Sequence, residues 1–393
     1  MKRIAIIGLG YIGLPTTLFF ANAGFEVIGV DVNEKIIESL SSGIITFEEP
    51  GLEEIFKKVY KNVTFTNKPC KADMFIITVP TPFLENKSID EKYIDGAFND
   101  ISPFLEKGNA IVLESTVPPK ITEKLAKKLE DMGFIPGEDV YLAHVPETII
   151  PGNMVEEFMT NKRLIGGYNG ESAAVVAEFY KEVIDGEIIL TDLRTAEFVK
   201  VIENTYRDVN IALANELMKF SDELEIDIYE AISIANKHPR VNIHTPGPGV
   251  GGHCISVDPW FLVGLFGKNA KLVSSAREIN DNQPNYMFNK LRSNHSLEDK
   301  KIGVYGLSYK PNIDDFRESP SFTFIDILKE NNISYASFDP WANTKVEPCQ
   351  LLDFEEFLSE IDILVIYVAH THIKDIKGKM TLLNIPIFEA MKV

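Results

Sequence analysis

Cys254 lies in the run Pro246-Gly247-Pro248-Gly249-Val250-Gly251-Gly252-His253-Cys254-Ile255-Ser256-Val257-Asp258-Pro259-Trp260. Prolines and glycines ahead of the thiol forbid a regular helix or strand, which predicts a loop that presses its backbone against a ligand and displays the sulfur. His253 beside it and Asp258 four residues on suit a nucleophile that needs help in reaching its thiolate form. Read by itself, a cysteine is more often a small apolar core residue. A second group of reactive residues stands upstream, where Lys200, Asn204 and Arg207 recur at i, i+4 and i+7 on one face of a helix. A lysine and an amide so placed can aim at one reacting oxygen; the plainer reading is a solvated polar face.

Elements must hold these groups in place. Residues 3–8 read as a buried parallel strand, followed by Leu9-Gly10-Tyr11-Ile12-Gly13, an apolar helix through Ala23, and a second strand from Glu26 to Val30 ending at Asp31. Gly8, Gly10 and Gly13 therefore form a G-x-G-x-x-G between strand and helix, with an acid about twenty positions on, the pattern of a dinucleotide turn. The first glycine permits the turn, the second admits a pyrophosphate, and the third lets helix and strand pack closely, with the helix N-terminus offering its positive dipole end. Asp31 would accept from both ribose hydroxyls and repel a 2′-phosphate, favouring NAD over NADP. Strands at 74–79, 110–114, 140–143 and 163–165 and a helix at 121–132 continue the α/β pattern. Loops after two of them place Thr81 and Thr116 at carboxyl strand ends, near the cofactor, although such hydroxyls often serve as helix caps.

From Asp192 the pattern becomes a long helix, with Phe198, Ile202, Tyr206, Val209, Leu213 and Leu217 as an apolar stripe. Helices near 227–236 and 270–292 and a polar linker at 294–300 follow. A second α/β unit then has strands at 301–305, 334–338 and 363–367 and a helix from about Ser321. Its first loop lacks a third glycine, so it suits a different nucleotide, with Lys310 and Arg317 meeting phosphates; the alternative is an ordinary loop with paired surface charges. The expected architecture is thus α/β, two Rossmann-like doubly wound domains (1–190 and 294–393) joined by a central helical segment (191–293) with a long connecting helix. His370 and His372 have no companion Cys or carboxylate set, and no metal is expected.

Composition narrows the function classes. The 393 residues call for two or three domains. Lys and Arg total 39 against 58 Asp and Glu, net −19, so neither nucleic acid nor an anionic membrane is an expected partner. No apolar stretch reaches the ~18 residues of a membrane span, and the N-terminus runs directly into a strand, so the expected location is cytoplasmic. Cys70, Cys254 and Cys349 lack any paired spacing, which fits a reducing compartment.

NAD at one end, a nucleotide site at the other, and Lys200, Asn204 and Cys254 between them make a chain that resembles the UDP-glucose/GDP-mannose dehydrogenase superfamily over essentially its whole length. Arg194-Thr195-Ala196-Glu197, Glu203-Asn204-Thr205-Tyr206-Arg207-Asp208-Val209-Asn210-Ile211-Ala212, Asn236-Lys237-His238-Pro239-Arg240-Val241-Asn242 and the Cys254 loop carry the likeness. Relatives that oxidise UDP-glucose have a lysine before the aspartate of the cysteine loop; Val257 stands there and points to the N-acetylhexosamine branch. The resemblance implies a homodimer that oxidises the C6 alcohol of UDP-N-acetyl-D-mannosamine to a carboxylate with two NAD, for surface polysaccharide synthesis. UDP-N-acetylglucosamine and UDP-glucose are the alternative substrates. It assigns Lys200 and Asn204 to the oxygen, Cys254 to a thiohemiacetal and thioester, Glu147 to the hydrolytic water and Asp258 to support of the loop. Thr148, Ile149, Arg207, His238, Arg240, Gly251, Tyr309, Lys310 and Arg317 fall at substrate-contact positions, and Tyr11 and Ile12 at cofactor positions. The family's Cys-Pro-Glu-Arg reads Val145-Pro146-Glu147-Thr148 here, so a guanidinium near the sugar is missing. A single-step hydroxyacid dehydrogenase would share the first turn and the Lys-x-x-x-Asn but has no use for the Cys254 loop; an inactive NAD-binding scaffold would fit the missing arginine.

Overall fold

The structure, a computed structural model, describes residues 2–149, 152–373 and 385–392. Its contacts divide the chain into two compact units, Met1–Glu203 and Asn204–Val393. The first holds an eight-stranded sheet: β1 (Arg3–Ile7), β2 (Glu26–Val30), β3 (Val63–Thr66), β4 (Met74–Ile77), β5 (Asn109–Leu113), β6 (Val140–His144), β7 (Arg163–Gly167) and β8 (Ile188–Asp192). Its order is β3-β2-β1-β4-β5-β6-β7-β8. The first six follow the 3-2-1-4-5-6 order of a dinucleotide-binding sheet, whose ligand crevice opens where the order reverses, between β1 and β4. β4 and β5 are buried at every residue, as expected for parallel strands covered on both faces. Burial of Ile4, Ile6, Leu14, Leu18, Val27, Met74, Ile76 and Val112 forms the core between sheet and helices.

β3 and β8 are additions to the sequence reading, and β7 runs antiparallel to β6, with His144 opposite Gly166 and Ala143 opposite Gly167. Gly166 has to be glycine, because a Cβ there would stand 2.5 Å from that of Ala196 and 2.6 Å from the Asp192 carbonyl oxygen. That close approach seats the start of the long helix Leu193–Glu223 on the sheet.

The second unit has a parallel four-stranded sheet, β9 (Ile302–Tyr305), β10 (Tyr335–Phe338), β11 (Ile363–Ile366) and β12 (Ile387–Glu389), in the order β10-β9-β11-β12. Phe324, Ile325, Leu328, Val304 and Val365 pack on one face, and Phe338, Phe357, Leu358 and Ile366 on the other. The fold is therefore α/β with two Rossmann-like sheets and an intervening helical segment. The stretch expected as one helix over 270–292 is two, Lys271–Asp281 and Gln283–Asn294, because Pro284 cannot donate within a continuing helix. Asp258 opens a further helix, Asp258–Phe266, with Pro259 in its first turn, where a missing N–H costs nothing.

The long helix departs from the expected amphipathicity over most of the stripe. Phe198, Ile202, Tyr206 and Leu213 of the apolar stripe are exposed, Tyr206 by 62%. The buried positions include Glu197, Lys200, Asn204, Asp208 and Asn215. Such an arrangement is costly unless the buried polar groups are paired and something covers the apolar side.

Candidate active site

The turn after β1 is built to admit a nucleotide. Gly8 adopts φ +99° and donates to the Val30 carbonyl at 2.8 Å. Thr78, at the end of β4, donates its hydroxyl to the Gly8 carbonyl at 2.8 Å and clamps the turn from beneath. A Cβ on Gly13 would lie 1.8 Å from the Gly8 oxygen, so only glycine lets the helix Gly13–Asn22 start here. Gly10 has nothing within 4 Å of its missing Cβ, which leaves open the approach a pyrophosphate needs. The Asp31 carboxylate accepts from Leu9 N and Asn33 N, both at 2.8 Å, and is fixed at the carboxyl end of β2. These residues fit NAD: an open glycine at the helix start and an oriented acid for the ribose. Tyr11 stacks on Phe47 with ring centroids 4.4 Å apart, Ile12 sits at the helix N-cap, Thr81 is buried and Thr116 half-buried. Thr78 escaped the sequence reading because a threonine ending a strand belongs to no motif.

Glu147 follows β6 and is nearly sealed from solvent. One carboxylate oxygen accepts from Thr148 N at 2.7 Å and Ile149 N at 3.1 Å, while the other takes the Arg163 guanidinium at 2.5 Å. Arg163, the first residue of β7, is fully buried and lies over the Phe158 ring at 4.7 Å. A second carboxyl, Glu114, shares this interior and receives the hydroxyls of Thr16 at 3.0 Å and Tyr180 at 3.2 Å. Burial, and then the negative charge of Glu147, raise Glu114 to about 8, so it is protonated at neutral pH. The Arg163 guanidinium bonds Glu147, and a protonated Glu114 does not compete for it. Thr148 and Lys200 line one cavity of about 370 Å³ with Pro146, Leu164, Val199 and Glu203. Two of the sequence-derived substrate residues meet there; Ile149 flanks it in sequence, and Ile150 and Pro151 of the same motif lie outside the described residues.

In the second unit, the Cys254 loop and the segment Tyr309–Pro320 form one surface. A Cβ on Gly251 would meet the Glu318 carbonyl oxygen and the Tyr309 Cβ, each at 2.7 Å, and one on Gly252 the Tyr309 ring at 2.8 Å. Gly252 N donates to the Arg317 carbonyl at 3.1 Å. Cys254 itself is exposed, as the loop reading required. His253 does not serve as a cationic neighbour for the thiol: burial, and then the Arg317 guanidinium, push its pKa below the usual value, leaving the imidazole neutral. Asp258 is buried, donates its backbone N–H to the Cys254 carbonyl at 2.8 Å, and accepts the Asn204 amide at 2.6 Å. Arg317 is held by Asp315 through two hydrogen bonds, at 2.9 and 2.6 Å, which orients its guanidinium. Lys310, Arg207, His238 and Arg240 are exposed. The Asn236 side chain, bonded both ways to Ile243 at 2.8 and 2.9 Å, closes the turn that carries the last two.

The turn after β9 repeats the first unit's geometry up to a point. Gly306 has φ +89° and donates to the Phe338 carbonyl at 2.8 Å, and Asp339 accepts from Leu307 N at 2.6 Å. Here, however, the acid is consumed internally by Ser308 N at 3.0 Å, Trp341 N at 2.8 Å and His370 Nε2 at 3.2 Å. Asp339 is buried where Asp31 is half-exposed, so this turn does not offer a ribose acceptor. His370 belongs to that closure; among the described residues no cluster of three or more His, Cys, Asp or Glu is placed to hold a metal. No described helix is long and apolar enough to cross a membrane.

An open dinucleotide turn ending in an acid defines an NAD-binding dehydrogenase fold, and the displayed thiol adds a covalent option to it. The chain matches the UDP-glucose/GDP-mannose dehydrogenase family throughout: its NAD binding domain over residues 2–184, its central domain over 194–282 and its UDP binding domain over 303–388. The UDP-N-acetyl-D-mannosamine dehydrogenase of Methanococcus maripaludis (strain C7) is 47% identical over 96% of this chain and 88% of its own length, and that of Methanocaldococcus jannaschii is 45% identical over 95% and 87%. A UDP-N-acetyl-mannosamine dehydrogenase structure from Staphylococcus aureus superposes with a TM-score of 0.87 at 42% identity, covering 95% of this chain and 90% of that one. The UDP-D-ManNAc dehydrogenase structure from Pyrococcus horikoshii gives a TM-score of 0.91 at 35% identity, covering 99% and 96%. The chain belongs to the UDP-glucose/GDP-mannose dehydrogenase family and is an NAD-dependent nucleotide-sugar dehydrogenase.

Proposed function

We propose that this enzyme oxidises the C6 alcohol of UDP-N-acetyl-D-mannosamine to the carboxylate of UDP-N-acetyl-D-mannosaminuronate, a precursor for surface polysaccharide. The exposed Cys254, on a loop moulded against Tyr309–Pro320, is the observation that carries this reading. Bound NAD supplies the acceptor for two electrons in each of two rounds. In the first, Lys200 and Asn204 steady the oxygen as its proton leaves and the alcohol becomes an aldehyde. An aldehyde cannot give up a second hydride directly. Addition of the Cys254 sulfur to the carbonyl carbon makes a thiohemiacetal that can, and the resulting thioester is cleaved by water beside Glu147, returning the thiol. Asp258 holds the loop through Asn204, while Tyr309, Lys310 and Arg317 meet the uridine diphosphate and Arg207, His238, Arg240, Gly251, Thr148 and Ile149 the remainder of the substrate. Residues 1–190, 191–293 and 294–393 are taken as the NAD, central and UDP domains. Close similarity to several UDP-N-acetyl-D-mannosamine dehydrogenases supports the sugar, and Val257 in place of lysine supports an N-acetylhexosamine over glucose.

The exposed stripe of Phe198, Ile202, Tyr206 and Leu213 supports a homodimer, because a second copy would cover apolar surface that otherwise faces water. A side-by-side assay of NADH formation with UDP-N-acetylmannosamine, UDP-N-acetylglucosamine and UDP-glucose tests the substrate. The mannosamine epimer is expected to give the highest kcat/KM; a preference for either other sugar overturns the assignment.

A further inference from the structure

Beneath the thiol loop lies a polar network that the proposed chemistry does not use. Arg277, on the helix Lys271–Asp281, is 1% exposed and donates Nη1 to Asp208 Oδ1 at 2.6 Å and to the Ile255 carbonyl at 3.4 Å, with Nη2 on Asp281. Asn280 donates to the Asp208 carbonyl at 3.0 Å and to its carboxylate at 2.8 Å. Its own amide oxygen receives Asn215 Nδ2 at 2.9 Å, and Asn215 Oδ1 accepts Gly247 N at 2.9 Å. One connected set, all four members at most 1% exposed, therefore grips the loop both before the cysteine, at Gly247, and immediately after it, at Ile255. It also gives Asp208 and Asn215, on the buried side of the long helix, their partners.

Stability is a poor explanation for it. Burial raises the Asp208 pKa even with Arg277 beside it, and Asp208 Oδ2 and Arg277 Nε are buried with no hydrogen-bond partner. A buried ion pair with unsatisfied atoms is weak evidence for a stabilising role.

We propose that Arg277, Asp208, Asn280 and Asn215 form a positioning network that sets where the Cys254 sulfur stands, and that the aldehyde-oxidising half-reaction depends on it far more than the alcohol-oxidising half. The inference rests on the reading that Cys254 adds to the aldehyde, forming one C–S bond as the carbonyl π pair passes to oxygen. Only that step needs the sulfur at attack distance, so a small shift of the loop penalises it most.

Two variants test it, Arg277→Lys, which keeps the charge and loses the fork, and Asn215→Ala, which frees both Gly247 and Asn280. Both are made with Cys70→Ser and Cys349→Ser, so that Cys254 is the one thiol. Oxidation of the UDP-hexosamine aldehyde supplied directly is expected to fall ~10- to 100-fold, with alcohol oxidation and the sugar KM within about twofold of the parent. The rate of Cys254 alkylation by iodoacetamide is expected to change in parallel with aldehyde oxidation. Equal loss of both half-reactions tracking a lower melting temperature, or folded variants that oxidise aldehyde at the parent rate, overturns the network's role. Should the parent itself complete both oxidations after Cys254→Ser, the reading of the cysteine fails instead.

Discussion

Replacing Glu114 by glutamine should make the protein more stable than the wild type at neutral and alkaline pH. The carboxyl is fully enclosed and its pKa stands at about 8 against 4.5 when exposed. Below 4.5 the group is protonated whether the chain is folded or not, and it contributes nothing to the pH dependence. As pH rises, the unfolded chain ionises first, so a penalty on folding grows up to about 8 and is constant beyond it. At ~1.4 kcal/mol per pH unit the gap amounts to a ceiling of about 5 kcal/mol, and partial relaxation of the interior reduces it to a few. Glutamine keeps one carbonyl acceptor, turns an amide N–H toward the other hydroxyl oxygen as a protonated carboxyl does, and cannot ionise. Thermal unfolding of both proteins from pH 4 to pH 9, read on the transition of the first unit, checks this. The difference between them is expected to open above about pH 4.5 in favour of Glu114→Gln and to level off above about 8. Parallel curves across that range would refute the claim that Glu114 is held protonated beside Glu147.

His144 should act in the opposite pH range. It is buried, and that burial lowers its pKa to about 3 from 6.5, so stability is complete above 6.5 and is lost as pH falls toward 3. His144→Leu is expected to flatten this acid limb relative to wild type in the same unfolding series, and an unchanged limb would count against a neutral buried imidazole. Asp315→Asn should weaken the bidentate hold on Arg317 and raise the UDP-sugar KM by an amount on the order of 1–2 kcal/mol, with the NAD KM unchanged. A sugar KM equal to wild type would show that the guanidinium needs no orientation.

Much of the scaffold was legible because strong local signals coincided with tertiary ones. β1, Gly8, Gly13 and Asp31 each satisfy a backbone requirement that no other residue type meets as well, so spacing sufficed to find them. The long helix shows where periodicity misleads. Its stripe of Phe198, Ile202 and Tyr206 has the pattern of a core face yet is exposed, while Asn204, Asp208 and Asn215 are buried because their partners, Asp258, Arg277 and Gly247, lie 32 to 69 residues away. No local window contains those partners. Arg163 was read only as the start of a strand, and its bond to Glu147 depends on β7 pairing antiparallel with β6, which sequence alternation does not reveal. Glu197, part of a motif, proves to be a support: it accepts Lys120 N at 2.6 Å and Thr122 N at 2.7 Å and caps the helix Ile121–Asp131. Pro259 and Pro284 each sit in the first turn of a helix, a start that the apolar periodicity alone does not mark.

The central claim is that Cys254 lets one enzyme oxidise its sugar twice, and the stoichiometry of NADH released per UDP-N-acetylmannosamine consumed tests it most directly. Wild type is expected to release two NADH for each sugar, with the uronate as product, and Cys254→Ser to stop after one oxidation. One NADH per sugar from wild type with free aldehyde in solution, or two from Cys254→Ser at the wild-type rate, would contradict it.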